Sequence, residues 1–190
     1  TAFYGCTQLK QISLPKSVSQ IGAYAYKGCP LQGTLDLMNI KDIGEGAFEG
    51  CTGLTSVVLP ENLLRIEASL FQGCTGLTVI NIPQCVTTIG TSAFASCSRL
   101  QSVSIPDEVE RIEDYAFKGC SNMKHLAIGN SVKKIGVEAF GECRRLKSLS
   151  IPASVDSILS SFVDCDSVSS LELKDGNRPI LIEGKCFNGG

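Results

Sequence analysis

Residues 89–111 read IGTSAFASCSRLQSVSIPDEVER, and residues 112–134 read IEDYAFKGCSNMKHLAIGNSVKK. Laid over one another they give I-G-x-x-A-F-x-x-C-x-x-L-x-x-V-x-I-P-x-x-V-x-x. Leu100, Val103 and Ile105 form an L-x-x-L-x-L block. Alternation across Val103-Ser104-Ile105 predicts a short strand with its apolar side chains inward and Ser102 and Ser104 outward. Pro106 ends that strand, because it has no N–H to give a neighbouring ladder. Val109 and Ile112 then re-enter the core. Ala93-Phe94 with Cys97 form a return leg too short for a full helix, which predicts a single α or 3₁₀ turn.

The same unit runs along the chain. Cysteines recur at Cys6, Cys29, Cys51, Cys74, Cys97, Cys120, Cys143 and Cys165, in steps of 22 or 23 residues. All 8 phenylalanines (Phe3, Phe48, Phe71, Phe94, Phe117, Phe140, Phe162 and Phe187) occupy one slot, with Tyr26 filling the gap. Isoleucine opens the units at Ile21, Ile43, Ile66, Ile89, Ile112, Ile135, Ile158 and Ile182. A fixed period of this length is the mark of a stacked repeat architecture. Gly22, Gly44, Gly90 and Gly136 follow the opening isoleucine and predict a tight backbone corner there. Unit 21–42 is one residue short after Leu37, and unit 158–181 is degenerate, with Phe162 one place early and Lys174 in the proline slot.

Length and composition set outer bounds. The chain has 190 residues, a net charge of −2, 43% hydrophobic and 19% charged residues, which is ordinary globular composition. Balanced charge argues against a dedicated nucleic-acid binder, which carries a strongly basic face. No apolar run approaches the eighteen or so residues of a membrane helix, so no membrane insertion is expected within this chain. The first residues carry no signal-peptide pattern; either no such segment belongs to the protein or this stretch lacks it. The chain begins at the Ala2-Phe3 slot and stops at Gly189-Gly190, where a ninth cysteine would fall. Neither end shows a polar cap, so it reads as a window of a longer array.

The segments IGEGAFEGCTGLTSVVLPENL (43–63) and IGVEAFGECRRLKSLSIPASV (135–155) closely resemble the BspA-type leucine-rich repeat family. The resemblance covers essentially the whole chain and is specific, since consecutive units repeat it. It implies a cell-surface or secreted protein, acting in adhesion or protein binding, without enzymatic activity. The expected fold is α/β: one leucine-rich repeat solenoid over residues 1–190. Its strands, near 10–14, 33–37, 55–59, 78–82, 101–105, 124–128, 147–151 and 169–173, would form one parallel sheet on the concave face. Short α or 3₁₀ turns would line the convex side.

Few residues carry chemistry. The 22–23-residue cysteine spacing is unlike the C-x₂-C pairs of zinc or redox sites. Side chains in one slot point in parallel, which is poor bridging geometry, so buried structural thiols are expected, with disulfides or metal as the alternative. Cys85 replaces a polar loop residue and is expected to be the accessible thiol; Cys186 takes the alanine slot and is expected in the core. His125, the only histidine, stands at an outward strand position. Its outward neighbours are Ser102, Ser104, Ala127, Ser148 and Ser150, with no carboxylate to orient it as a general base. Neither catalytic residues, a cofactor nor a metal is expected.

Basic residues gather in two units: Lys118, Lys124, His125, Lys133, Lys134, Arg144, Arg145 and Lys147. Lys124 and Lys147 share a slot, so they would stand about 5 Å apart, which is unfavourable without an anion between them. The plain reading is a hydrated surface, neutralised by Asp107, Glu108, Glu110, Glu113 and Asp114 one unit earlier. The functional reading is a site for a protein partner with an acidic surface, centred on Lys124, His125, Lys147, Arg144 and Arg145. Aromatics for stacking on nucleic-acid bases are absent from the outward strand face. The function expected is a non-enzymatic protein-interaction or adhesion module. The rival is a structural building block, an intracellular one if no surface signal exists, held permanently in a larger assembly. A catalytic domain outside this window is a third alternative.

Overall fold

The computed structural model describes residues 1–176 and 179–184; the expectations for Cys186, Phe187 and Gly189-Gly190 lie outside them. Seven of the eight predicted strands form, and every strand pair is parallel and joins successive repeats. This first wall holds β2 (Gln32–Asp36), β4 (Gly53–Val58), β6 (Val79–Ile80), β8 (Ser102–Ser104), β10 (His125–Ala127), β12 (Ser148–Ile151) and β14 (Ser170–Leu173). It is not one uninterrupted sheet. Pairing runs through β2-β4-β6, β8-β10 and β12-β14, because these strands of two to six residues lose ladder geometry wherever two of them diverge. Residues 10–14 do not form a strand; a bond from Gln32 N–H to the Lys10 carbonyl (2.9 Å) holds that segment in place.

A second wall was not foreseen. The opening isoleucines sit in strands of their own: β1 (Gln20–Ile21), β3 (Asp42–Ile43), β5 (Arg65–Ile66), β7 (Thr88–Ile89), β9 (Arg111–Ile112), β11 (Lys134–Ile135), β13 (Ser157–Leu159) and β15 (Leu181–Glu183). β5 through β15 pair in one continuous six-stranded parallel ladder, and β1 pairs with β3. Between β3 and β5 the ladder is broken. Gly90 N–H donates to the Ile66 carbonyl (2.8 Å) and Glu113 N–H to that of Ile89 (2.9 Å), yet Glu67 N–H makes no such bond to the repeat before it. The break coincides with the one-residue deficit after Leu37, and a depression of about 850 Å³ opens there between Lys41–Glu45 and Asn62–Glu67.

The return leg corrects the expected helical turn: no helix occurs among the described residues. Ser92, Phe94 and Ser96 donate their N–H groups to the Asp114, Ala116 and Lys118 carbonyls of the next repeat (3.0, 2.7 and 2.6 Å). Ala93, Ala95 and Cys97 bond back three residues within their own turns. A helix would consume every N–H internally; here every second one ties neighbouring repeats together. The geometry needs two left-handed residues per repeat. Tyr24, Gly46, Ser69, Ser92, Tyr115, Glu138 and Ser160 fill the first position, and Gly5, Gly28, Gly50, Gly73, Ser96, Gly119, Glu142 and Asp164 the second, all with φ between +47° and +74°. The predicted corner glycines serve another purpose. Gly44, Gly90 and Gly136 do not have positive φ; a Cβ on Gly90 would lie 2.7 Å from Ala68 N and 2.8 Å from Ile66 O. They permit close approach of backbones.

Between the walls runs a column of stacked rings. From Phe3 through Tyr26 and Phe48 to Phe162, successive centroids stand 5.1–5.8 Å apart with interplanar angles of 2–15°. Offset stacking adds to the area each ring buries. The cysteine column beside it is explained by its hydrogen bonds. Cys74 Sγ donates to the Phe48 carbonyl (3.2 Å), Cys97 to Phe71 (3.2 Å) and Cys120 to Phe94 (3.4 Å). Each thiol fills apolar space and supplies a weak donor to the repeat before it.

Candidate functional site

The outward residues of β10 and β12, and the turns that lead into them, bring basic side chains together. Two positions after each repeat cysteine and four positions after it form adjacent columns across the first wall. The first column reads Arg99, Asn122, Arg145, Ser167; the second reads Gln101, Lys124, Lys147, Ser169. Register is held by pairing of His125 with Ser102 and of Ser148 with Ser170, by Lys124 N–H to the Gln101 carbonyl (2.8 Å) and by Ser169 N–H to the Lys147 carbonyl (2.9 Å).

Lys124, His125, Arg145 and Lys147 line one depression of about 600 Å³ with Ser148 and Ser167. Lys124 and Arg145 also line its neighbour of about 300 Å³, where Arg99 joins them with Thr78, Gln101 and Asn122. All four cations are exposed. Arg144 is turned elsewhere, with its guanidinium 3.8 Å from Glu142 and 3.9 Å from Asp166. The sequence reading passes over Arg99. The available signal is that it shares its slot with Arg145, two repeats on.

The acidic stretch does neutralise some basic neighbours, but not these. Lys133 pairs with Glu110 (3.1 Å), Lys134 with Glu113 (3.5 Å) and Lys118 with Glu138 (2.5 Å) and Glu142 (3.7 Å). Asp107 accepts from Asn130 and Asp114 from the Val137 N–H. Lys27, Arg65 and Arg111 are likewise paired. Among the described residues Arg99, Lys124, Arg145 and Lys147 make no ion pair; Lys10, Lys16, Lys41 and Lys174 also make none, but are scattered over the molecule. The positive field is therefore concentrated on the strand side of repeats five to seven.

The return-leg surface offers the other grouping of polar and aromatic groups. The Lys118 ammonium lies 5.5 Å from the Tyr115 ring centre, and that of Lys27 lies 5.3 Å from the Tyr24 ring and 6.0 Å from the Tyr4 ring. The hydrogen bonds that Lys27 and Lys118 donate to Glu49 and Glu138 push their pKa values up. Each cation there already has a carboxylate and a ring, so this surface is satisfied internally.

No group of three or more metal-ligating side chains assembles among the described residues. The nine described cysteines are free thiols. Among the described cysteines Cys6 is the exposed one, whereas Cys85 is half-buried with its Sγ on the Glu61 and Leu63 carbonyls (2.7 and 3.4 Å). That corrects the expectation that Cys85 is the most accessible thiol.

The BspA type leucine rich repeat region matches this sequence in six copies, over residues 1–101 and 87–189. The chain belongs to the BspA-type leucine-rich repeat family. Among solved structures, this BspA-type chain is similar to a leucine rich cell surface protein from Faecalibacterium prausnitzii, at 25% identity and a TM-score of 0.65, covering 90% of this chain and 55% of that one. A leucine rich repeat protein of T. pallidum is 29% identical with a TM-score of 0.56, covering 86% and 66%. The pneumococcal vaccine antigen PcpA shares the fold, at 20% identity and a TM-score of 0.52 over 96% and 59%. The chain thus spans between about half and two thirds of these solved proteins. No curated protein sequence matched it.

Proposed function

We propose that this leucine-rich repeat chain is a non-enzymatic protein-interaction or adhesion module of a cell surface, docking an acidic ligand through the basic depression on its first wall. One observation carries the reading: four cations on three consecutive repeats remain without carboxylates, while Lys118, Lys133, Lys134 and Arg144 around them are paired. Like charges held together are unfavourable unless a ligand takes up their field. The stacked repeats suit the role, because two hydrogen-bonded walls and a ring column hold the side chains in fixed columns. His125 has no carboxylate among the residues lining its depression, which speaks for binding over acid–base catalysis. The surface placement is supported by the printed description of the Faecalibacterium neighbour as a cell surface protein.

The test is adhesion. A non-adherent bacterium displaying the chain is washed over wells coated with acidic extracellular proteins, alongside one displaying Lys124→Glu with Lys147→Glu. Adhesion should fall with the substitutions and with salt between about 50 and 300 mM, as the screening length shortens. Equal adhesion by both strains would remove the depression as the docking site.

A further inference from the structure

We infer that the ligand of the basic depression is a sulfated polysaccharide chain, an inference that rests on the depression being the docking site. The four cations occupy three successive repeats, so they span about 10 Å along the stacking direction at roughly 4.8 Å per step. A linear ligand crossing the strands would meet a cation at every step. The guanidinium forks of Arg99 and Arg145 suit the oxygens of a sulfate, and the two ammonium groups of Lys124 and Lys147 provide compact charges beside them.

The other lining residues narrow the class. No aliphatic, Phe, Tyr or Trp side chain lines either depression; the one ring there is the His125 imidazole. A peptide partner is usually held by apolar anchors in pockets or by main-chain bonds to a free sheet edge. Neither is offered here. Lys124 N–H is bonded to the Gln101 carbonyl (2.8 Å), and β10 and β12, although not joined in a ladder, stand side by side without the two strand spacings that an inserted strand needs. What remains is charge plus side chains that bond hydroxyl groups: Thr78, Gln101, Ser148, Ser167 and the Asn122 amide. Asn122 Nδ2 donates to the Ser98 carbonyl (2.6 Å), and its side-chain oxygen remains an acceptor in the lining. That is the complement of a ligand dense in anions and hydroxyls and poor in apolar surface.

Nucleic acid fits less well. Single strands are held by successive bases stacking on several aromatic rings, and the lining holds only the His125 imidazole. A duplex binder carries a strongly basic face, and this chain has a net charge of −2.

The experiment titrates the chain with a size-defined heparin octasaccharide, its desulfated counterpart, a poly-glutamate peptide of equal charge and a single-stranded oligonucleotide. Each is repeated on Lys124→Gln with Lys147→Gln, whose melting temperature is checked first. The heparin fragment should bind, and desulfation should weaken it at least about tenfold. Its affinity should fall with salt at a slope matching about three or four neutralised charges, reduced by about two in the double variant. Poly-glutamate or the oligonucleotide binding as tightly as heparin would overturn the polysaccharide class and leave the docking site standing. Heparin binding unchanged in the double variant would overturn both.

Discussion

Raising the pH to 10 should destabilise this fold far more than its surface charges would suggest, through the buried thiols. Burial pushes Cys51 and Cys97 from an ordinary value of 9.0 up to about 12, and Cys74 and Cys120 well above it. Above pH 9 the unfolded chain releases these protons while the folded chain keeps them. The unfolded state then binds fewer protons, so stability falls with rising pH. For Cys51 and Cys97 the contribution is whole below pH 9 and is lost as the pH rises towards about 12. At pH 10 the loss is about 1.4 kcal/mol for each of these two, about 3 kcal/mol together, and Cys74 and Cys120 add a loss of the same sign. That is a large share of the stability of a typical domain. Urea unfolding at pH 7, 8, 9 and 10, with a non-thiol reductant present, measures it. Cys97→Ala should reduce the slope. A midpoint that stays constant from pH 8 to 10 would refute the buried-thiol column.

Three further outcomes are expected. Phe94→Ala removes a fully buried ring stacked between Phe71 and Phe117 and should cost about 3–5 kcal/mol in urea unfolding. Ser96→Gly should stabilise by about 1 kcal/mol, since Ser96 is exposed and holds φ of 61° in a position most other repeats fill with glycine; thermal unfolding reads the gain. A thiol reagent on the native chain should label Cys6 first and Cys85 next, well ahead of Cys51, Cys74, Cys97, Cys120 and Cys143, followed by mass spectrometry of the digested protein.

Repetition made the strand wall, the inward Leu, Val and Ile positions and the ring and thiol columns legible, because a side chain repeated every 22–23 residues must stack on its own image. The second wall was not legible: two-residue strands such as Arg111–Ile112 are too short to show alternation, and the isoleucine marks only their inward half. The return leg was misread as helical because Phe and Cys three apart also suit a helical turn. The left-handed residues on either side of the Phe decide otherwise, and Ser, Tyr and Glu at those positions disguise the requirement that Gly46 and Gly50 make plain. At the site, Lys124 and Lys147 were legible from their shared slot, and His125 and Arg145 from their place beside them in the basic cluster. Arg144 was not separated from Arg145, since adjacent residues in a turn diverge in direction and only the structure places it beside Glu142 and Asp166.

Two charge-matched variants test the binding site most directly. One carries Lys124→Glu with Lys147→Glu, at the unpaired cations; the other carries Lys133→Glu with Lys134→Glu, whose lysines pair with Glu110 and Glu113. Both change the net charge by the same amount, so any difference in adhesion reports position alone. The first should lose binding by at least about tenfold at low salt while the second stays near the parent chain. Equal loss in both would mean that bulk charge, and not the depression on the first wall, holds the partner.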